Sequence, residues 1–288
     1  MSVIGIWGDD KAGKTTVALT APRPILYMEY DIGGFERARR NIGDIHISDW
    51  VKDGSIIHKR YVMPFQVANF DPVKNIVRPS KIVTGVKELF YRWLGDYMKA
   101  VQDTKVASIV IDTGTLLWEV VTASFLQEKQ ELQLDNNGNV RPGEKLRTQL
   151  LQIEYKEPNI RMRGIVYQAK ANGKHLIMTH HSRDEYGIIR QSDGTMGEGR
   201  TGKKERNGWA QLGDGADLIL HTYIKEEPVI DDTTNRQIIV NGKKQVKRVP
   251  YCSVDLAEVQ ELVGMEFREP TLDSITEVIK MIREGTEN

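Results

Sequence analysis

Apolar and polar positions switch between two periods along this chain, and the switches outline an α/β fold. Short unbroken apolar runs occur at Val3-Ile4-Gly5-Ile6-Trp7, Pro24-Ile25-Leu26-Tyr27-Met28, Ala107-Ser108-Ile109-Val110-Ile111, His175-Leu176-Ile177-Met178 and Leu218-Ile219-Leu220. Runs of that length without alternation predict strands of a parallel sheet, buried on both faces. Val86, Leu89, Phe90, Trp93, Leu94, Tyr97, Met98 and Val101 instead step by three and one, the spacing of a helix with one broad apolar stripe. That helix precedes the 107–111 strand, as the crossover of a βαβ unit should. Further helices are expected from Leu116 to about Leu134, where Asp135-Asn136-Asn137-Gly138-Asn139 reads as a turn, from Glu144 to Tyr155, and from Ile160 to Ala171.

The pattern changes past Lys225. Ile238-Ile239-Val240 and Val246-Lys247-Arg248-Val249 flank Asn241-Gly242-Lys243, which predicts a hairpin. A closing helix follows, with Thr271 as N-cap and Ile275, Val278, Ile279 and Ile282 on one face. The expected organisation is a core over 1–225 and a hairpin-and-helix extension over 226–288 packed on it. The fold class is a three-layer α/β sandwich with a mostly parallel central sheet, which places ligands at the carboxyl edge of the strands.

The most specific motif lies at the first strand's end. Gly8-Asp9-Asp10-Lys11-Ala12-Gly13-Lys14-Thr15-Thr16 has the GxxxxGK[ST] spacing of a phosphate-binding loop, between a strand and the helical Val17-Ala18-Leu19. Gly8 and Gly13 free the backbone so that consecutive N–H groups can turn inward. The helix start adds its positive dipole end, Lys14 reaches the β- and γ-phosphates, and the Thr15 hydroxyl can ligate Mg²⁺. A second metal carboxylate is expected from Asp112, at the end of the 107–111 run. Glu29 and Asp31, two apart at the end of the 24–28 run, are candidates to polarise an attacking water. His180 and His181 end another strand. As neighbours they face opposite sides and chelate poorly, so one of them is expected to sense phosphate by hydrogen bonding.

Between the last two core strands, Ile189 to Asp214 is polar and carries Gly194, Gly197, Gly199, Gly202 and Gly208, which predicts a flexible loop. Arg200, Lys203, Lys204 and Arg206 on it could meet a nucleic-acid backbone, with Trp209 free to stack on a base; one of the cations could equally enter a neighbouring subunit's nucleotide site. Arg161, Arg163, Lys170 and Lys174 read by default as a solvated helix surface.

Composition narrows the classes. The 288 residues hold 40 Lys and Arg against 40 Asp and Glu, so any nucleic-acid site must be a local patch rather than a polycationic coat. One cysteine, Cys252, excludes an internal disulfide and a cysteine-rich zinc site and suits a reducing compartment. The N-terminal apolar run is too short for a signal peptide, and no stretch has the length of a membrane span, so a cytoplasmic location without membrane attachment is expected.

The order of these parts resembles the RecA-like branch of P-loop ATPases, in particular the phage-encoded RecA-like nucleotide-binding proteins that include the Sak-type single-strand annealing proteins. The likeness rests on the early strand and phosphate loop, Glu29-Tyr30-Asp31-Ile32-Gly33, the Ser108–Thr113 strand, Thr179-His180-His181, and the basic segment leading into Leu218-Ile219-Leu220. That family more often has Asp then Glu at the acid pair, where this chain has Glu then Asp. Alignment to the strand end favours Asp31, and His181 aligns best with the family's phosphate sensor. The resemblance implies ATP hydrolysis with Mg²⁺, self-association into a ring or filament, action on single-stranded DNA in phage annealing, recombination or replication, a single-stranded-DNA-binding protein as a further partner, and the host cytoplasm as location. The alternatives are a small-molecule P-loop kinase and a non-hydrolysing ATP-dependent assembly protein. A GTPase is disfavoured because no Asn-Lys-x-Asp guanine-reading motif is present.

Overall fold

The computed structural model describes residues 2–38, 47–71, 76–191, 194–231, 233–240 and 243–286, with the backbone alone at 67–71, 76–79 and 286. In chain order the elements are β1 (Val3–Gly8), α1 (Lys14–Ala18), β2 (Ile25–Glu29), α2 (Gly34–Ala38), α3 (Ile47–Lys52), β3 (Ile56–Arg60), β4 (Val67–Asp71), β5 (Ile76–Pro79), α4 (Val86–Gln102), β6 (Ser108–Asp112), α5 (Gly114–Glu131), α6 (Lys156–Ala171), β7 (His175–Arg190), β8 (Met196–Arg206), α7 (Leu212–Gly215), β9 (Leu218–Pro228), β10 (Ile239–Val240), β11 (Lys243–Lys244), β12 (Val246–Ala257), β13 (Glu266–Arg268) and α8 (Leu272–Thr286).

One large mixed sheet organises them, in the order β13-β12-β9-β1-β7-β6-β2-β3, with β8 pairing to β7 off this path. From β9 through β3 the strands run parallel, while β12 is antiparallel to β9 and β13 to β12. The apolar runs become parallel strands because alternate residues feed two cores. Leu26, Met28, Ile109, Ile111, Leu176 and Met178 face α4, α5 and α6, with Trp93, Tyr97, Leu117, Val120 and Met162. Ile4, Ile6, Ile25, Tyr27, Val110 and Ile177 face α1, α2 and α8, with Val17, Phe35, Leu272 and Ile275. The strands are therefore covered on both sides, and an all-apolar sequence is what that requires.

The α4 stripe is buried as its spacing predicts. Thr271 caps α8, its hydroxyl accepting from the Ser274 N–H at 3.1 Å, and Ile275, Val278, Ile279 and Ile282 meet the core. Both expectations rest on local chemistry, which the tertiary fold leaves intact.

Three expectations are corrected. Residues 144–151 are not helical; only the 3-10 turn Gln152–Tyr155 precedes α6. The segment is held by glutamines of the preceding helix and its end: Gln130 Nε2 donates to the Arg147 carbonyl at 2.5 Å, and Gln133 accepts from the Arg147 N–H at 3.0 Å and donates to the Lys145 carbonyl. Those side chains satisfy the backbone groups that a helix would have paired internally.

The second correction is the glycine-rich segment expected to be a loop. Most of it is strand: β8 returns antiparallel along β7 from Arg206 opposite Ser182 to Met196 opposite Arg190, forming a two-stranded ribbon beyond the sheet edge. Some of its glycines serve packing, whereas Gly194 and Gly202 adopt positive φ. A Cβ at Gly199 would lie 2.5 Å from the Ile189 side chain.

The third concerns the C-terminal hairpin. Ile239–Val240 pairs with Lys243–Lys244, while Val246–Val249 pairs with Pro228–Lys225, so β12 extends the main sheet. Asn241 and Gly242, the expected turn, lie outside the described residues. Strand β9 itself crosses the expected boundary at 225.

Ile109 is fully buried between the sheet and the α4–α5 layer. Ile109→Ala should cost about 2–5 kcal/mol of unfolding free energy in a denaturant titration. A loss well under about 1 kcal/mol would mean that this layer is not the packed core described here.

Candidate functional site

β1, β6 and β2 end side by side where β7 runs on past the sheet, and the residues at that edge make the site. Parallel pairing sets Gly8 beside His181 and Asp112 beside Glu29. Gly8 must be glycine. Its φ is +153°, and a Cβ there would lie 2.1 Å from the Thr222 carbonyl oxygen of β9. Gly13, at φ +91°, opens α1. That helix is five residues long, so its dipole is small, and the loop's N–H groups and Lys14 dominate the local positive field.

Lys14 lies inside the loop, 8% exposed, and its ammonium donates to the Gly8 carbonyl at 2.9 Å and the Asp9 carbonyl at 2.7 Å. Burial lowers its pKa, while Asp10, Asp112, Asp9 and Asp31 oppose the drop. This buried cation thus feels four carboxylates. Asp9, Asp10 and Lys11 are exposed on the outer turn, Lys11 at φ +63°; Ala12 is buried and Thr16 half-buried.

Asp112 is the centre of the arrangement. It is 1% exposed and accepts from three hydroxyls: Thr15 at 2.9 Å, Tyr27 and Thr179. Burial raises its pKa, and the three donors pull it back. Burial also pushes the Tyr27 phenol up, so Tyr27 stays a donor. Thr15 and Asp112 are the pair that could hold a divalent cation. No group of three or more His, Cys, Asp or Glu able to hold a metal occurs among the described residues. A Mg²⁺ here would draw its other ligands from phosphate and water, as Mg²⁺ usually does.

The two strand-end acids part company. Glu29 is fully buried and saturated: it accepts from the Gly33 and Phe35 N–H groups at 3.1 and 3.0 Å and from Arg60 Nε at 3.0 Å, with His58 Nε2 at 2.9 Å. It clamps the end of β3 to the turn after β2. Asp31 lies beyond the strand end, 41% exposed, with Arg37 at 3.5 Å. Near Gly34 its carboxylate and that of Asp112 converge: a Cβ on Gly34 would lie 3.8 Å from Asp31 Oδ2 and 3.1 Å from Asp112 Oδ2. Asp31 is therefore the acid of the pair that faces the Lys14–Asp112 side with its carboxylate open to water.

The histidines divide as the strand period requires. His181 lies on the face of Thr179, next to Gly8. His180 lies on the other face, wholly buried against Gly114 and Gly208, with Nδ1 3.1 Å from the Asn207 carbonyl. Burial lowers its pKa to about 3, so its ring is neutral.

The basic segment is mostly committed. Arg206 is bound to the Trp209 and Ala210 carbonyls, and Lys204 and Arg200 to Asp184. Lys203 has no acidic partner among the described residues. Trp209, expected to be free for stacking, is 2% exposed and donates to Asn159, because the chain re-enters the core there. Arg161, Lys170 and Lys174 are likewise held by Glu128 and Glu157, by Asp217, and by backbone carbonyls.

Sequence reasoning missed Tyr27, His58 and Arg60 and gave Thr179 no role of its own. Tyr27 and Thr179 each precede a named residue by two on its own strand, so the period of two was the available signal. No protein-family model matches the chain, and no curated protein does. No helix among the described residues is long and apolar enough to cross a membrane.

The neutral His180 makes a pH prediction. Its folded pKa lies below the ordinary 6.5, so the unfolded chain binds the extra proton and stability falls as pH drops from about 6.5 toward 3. Relative to His180→Asn, the wild type should lose about 1.4 kcal/mol per pH unit in that window. Parallel unfolding free energies for the two proteins between pH 7 and 4 would contradict the assignment.

Proposed function

We propose that the chain is a RecA-like P-loop ATPase that binds and hydrolyses Mg²⁺-bound ATP and acts on single-stranded DNA, of the kind phages use in strand annealing, recombination or replication. One observation carries the nucleotide reading: the buried Lys14 lies inside the glycine loop while the adjacent Thr15 hydroxyl donates to Asp112, 97 residues away, at 2.9 Å. A cation, a hydroxyl and a carboxylate so placed are the set that phosphoryl chemistry needs.

Lys14 exchanges loop carbonyls for phosphate oxygens, a charge-assisted contact. Thr15 and Asp112 would hold a Mg²⁺, which would neutralise phosphate charge. Asp31 orients the attacking water and accepts its proton, and Glu29 positions the turn that carries Asp31. His181, beside Gly8, is placed to hydrogen-bond the terminal phosphate. His180 takes no part in the chemistry. The β7–β8 ribbon next to the loop offers Lys203, Arg200 and Lys204 to a nucleic-acid backbone or to a neighbouring subunit's site. A small-molecule kinase would want an arginine-rich lid over the site, whereas residues 196–206 pair with β7 as a ribbon. A ring or filament is the assembly in which such an ATPase would work.

Lys14→Ala should abolish binding of Mg²⁺-bound ATP by calorimetry, and unchanged affinity would reject the phosphate-loop reading. Asp31→Asn should keep binding and lose turnover by about 10²–10⁴-fold, the range of a general base. Glu29→Gln should mainly lower stability. Normal hydrolysis by Asp31→Asn together with loss of turnover in a folded Glu29→Gln protein would reverse the two roles.

A further inference from the structure

The turn after β2 brings a further cation to the Asp112 side of the site. Glu29 accepts from the Gly33 and Phe35 N–H groups, so the turn is held from the protein interior. Its surface is made by two consecutive glycines. A Cβ on Gly33, at φ +92°, would lie 3.2 Å from Nη1 of Arg37. A Cβ on Gly34 would lie 3.1 Å from Asp112 Oδ2 and 3.8 Å from Asp31 Oδ2. The Arg37 guanidinium and the two carboxylates therefore rest against adjoining residues of one turn that carries no side chains of its own there. Arg37 itself stands three residues on, in α2.

Arg37 is held loosely. Its Nη2 lies 3.5 Å from Asp31 Oδ2, and the two side chains are 58% and 41% exposed. Exposed pairs of this kind contribute little to stability and exchange readily. The nearby Arg60 is different: its Nε is tied to the fully buried Glu29 at 3.0 Å, and its Nη2 faces Glu36 at 3.5 Å. Charge gives the exchange at Arg37 a direction. Asp10, Asp112, Asp9 and Asp31 all act on the buried Lys14, so the site is rich in negative charge before any ligand arrives. A nucleotide triphosphate adds more, and a single Mg²⁺ offsets only part of it. A guanidinium that moves from Asp31 to a terminal phosphate gains a more highly charged partner with the fork geometry that it fits best.

We propose that Arg37 reads the terminal phosphate from within the same subunit: it leaves Asp31 for the γ-phosphate of ATP, and in doing so uncovers the carboxylate that accepts the proton of the attacking water. The inference rests on the nucleotide reading above and adds a specificity to it. A diphosphate offers nothing at that position, so with ADP the Arg37–Asp31 pair stays closed. Lys14, Thr15 and Asp112 serve both nucleotides; Arg37 serves the triphosphate alone.

The test compares two probes by calorimetry, each with Mg²⁺: ADP, and the imido analogue of ATP, in which nitrogen replaces the β–γ bridging oxygen so that nothing is hydrolysed. Arg37→Ala should weaken the analogue about tenfold or more, the loss of one hydrogen-bonded contact to a charged group, and leave ADP within about twofold. Arg37→Lys, which keeps the charge without the fork, should recover part of that loss. In an Asp31→Asn background Arg37 has no ion pair to give up, so Arg37→Ala should cost the analogue at least as much there. The unfolding transition of Arg37→Ala should match that of the wild type, as befits an exposed residue, which separates the effect from misfolding. An equal loss for both nucleotides, no loss for either, or a smaller cost in the Asp31→Asn background would overturn the role of Arg37 and leave the nucleotide reading intact. Failure of the wild type to bind either probe would overturn both.

Discussion

A single buried carboxylate sets the terms for everything at the carboxyl edge of the sheet. Asp112 is almost fully removed from water, and a charge so placed is tolerated only if its oxygens are well supplied with donors. Three hydroxyls converge on it from three elements: Thr15 from the start of α1, Tyr27 from β2 and Thr179 from β7. Meeting that demand fixes the first turn of α1 against β6, and so fixes the glycine loop leading into it. Strand order then follows a functional logic. β7 lies between β1 and β6, so Thr179 can reach Asp112 from one side while His181, two residues on, lies beside Gly8.

The second constraint is the crowding of acid around Lys14. Four carboxylates surround one buried ammonium. A polyanion bound there would meet less repulsion if it brought a divalent cation with it. The same balance recurs in the β7–β8 ribbon, where Arg183 pairs with Glu205 and Arg200 and Lys204 pair with Asp184. Any nucleic-acid contact there would exchange internal ion pairs for phosphates, and exposed ion pairs are weak enough to be exchanged.

Much of this was legible in the sequence, because the signals were local. The glycine loop between β1 and α1, the apolar strands, the α4 stripe and the Thr271 cap each depend on spacing within a few residues. Asp112 could be read for the same reason, as an acid ending an apolar run. The misreadings came where distant residues decide. Nothing near residues 144–151 says that Gln130 and Gln133 will satisfy that backbone. Glycines in 194–208 read as flexibility, although several are there to let strands and side chains approach. Glu29 and Asp31 look equivalent as a pair two residues apart; the long-range partners Arg60 and His58, contributed by β3, help to separate a locked acid from an open one. Trp209 looked available because its core partners come from α6 and α7.

The central claim is that this edge hydrolyses ATP in response to single-stranded DNA. Its most direct test is the steady-state rate of Mg²⁺-dependent ATP hydrolysis with and without single-stranded DNA, with Lys14→Ala as the blank. The account predicts turnover above the blank that rises when DNA is added. Turnover equal to the blank under both conditions, or turnover indifferent to DNA, would contradict it.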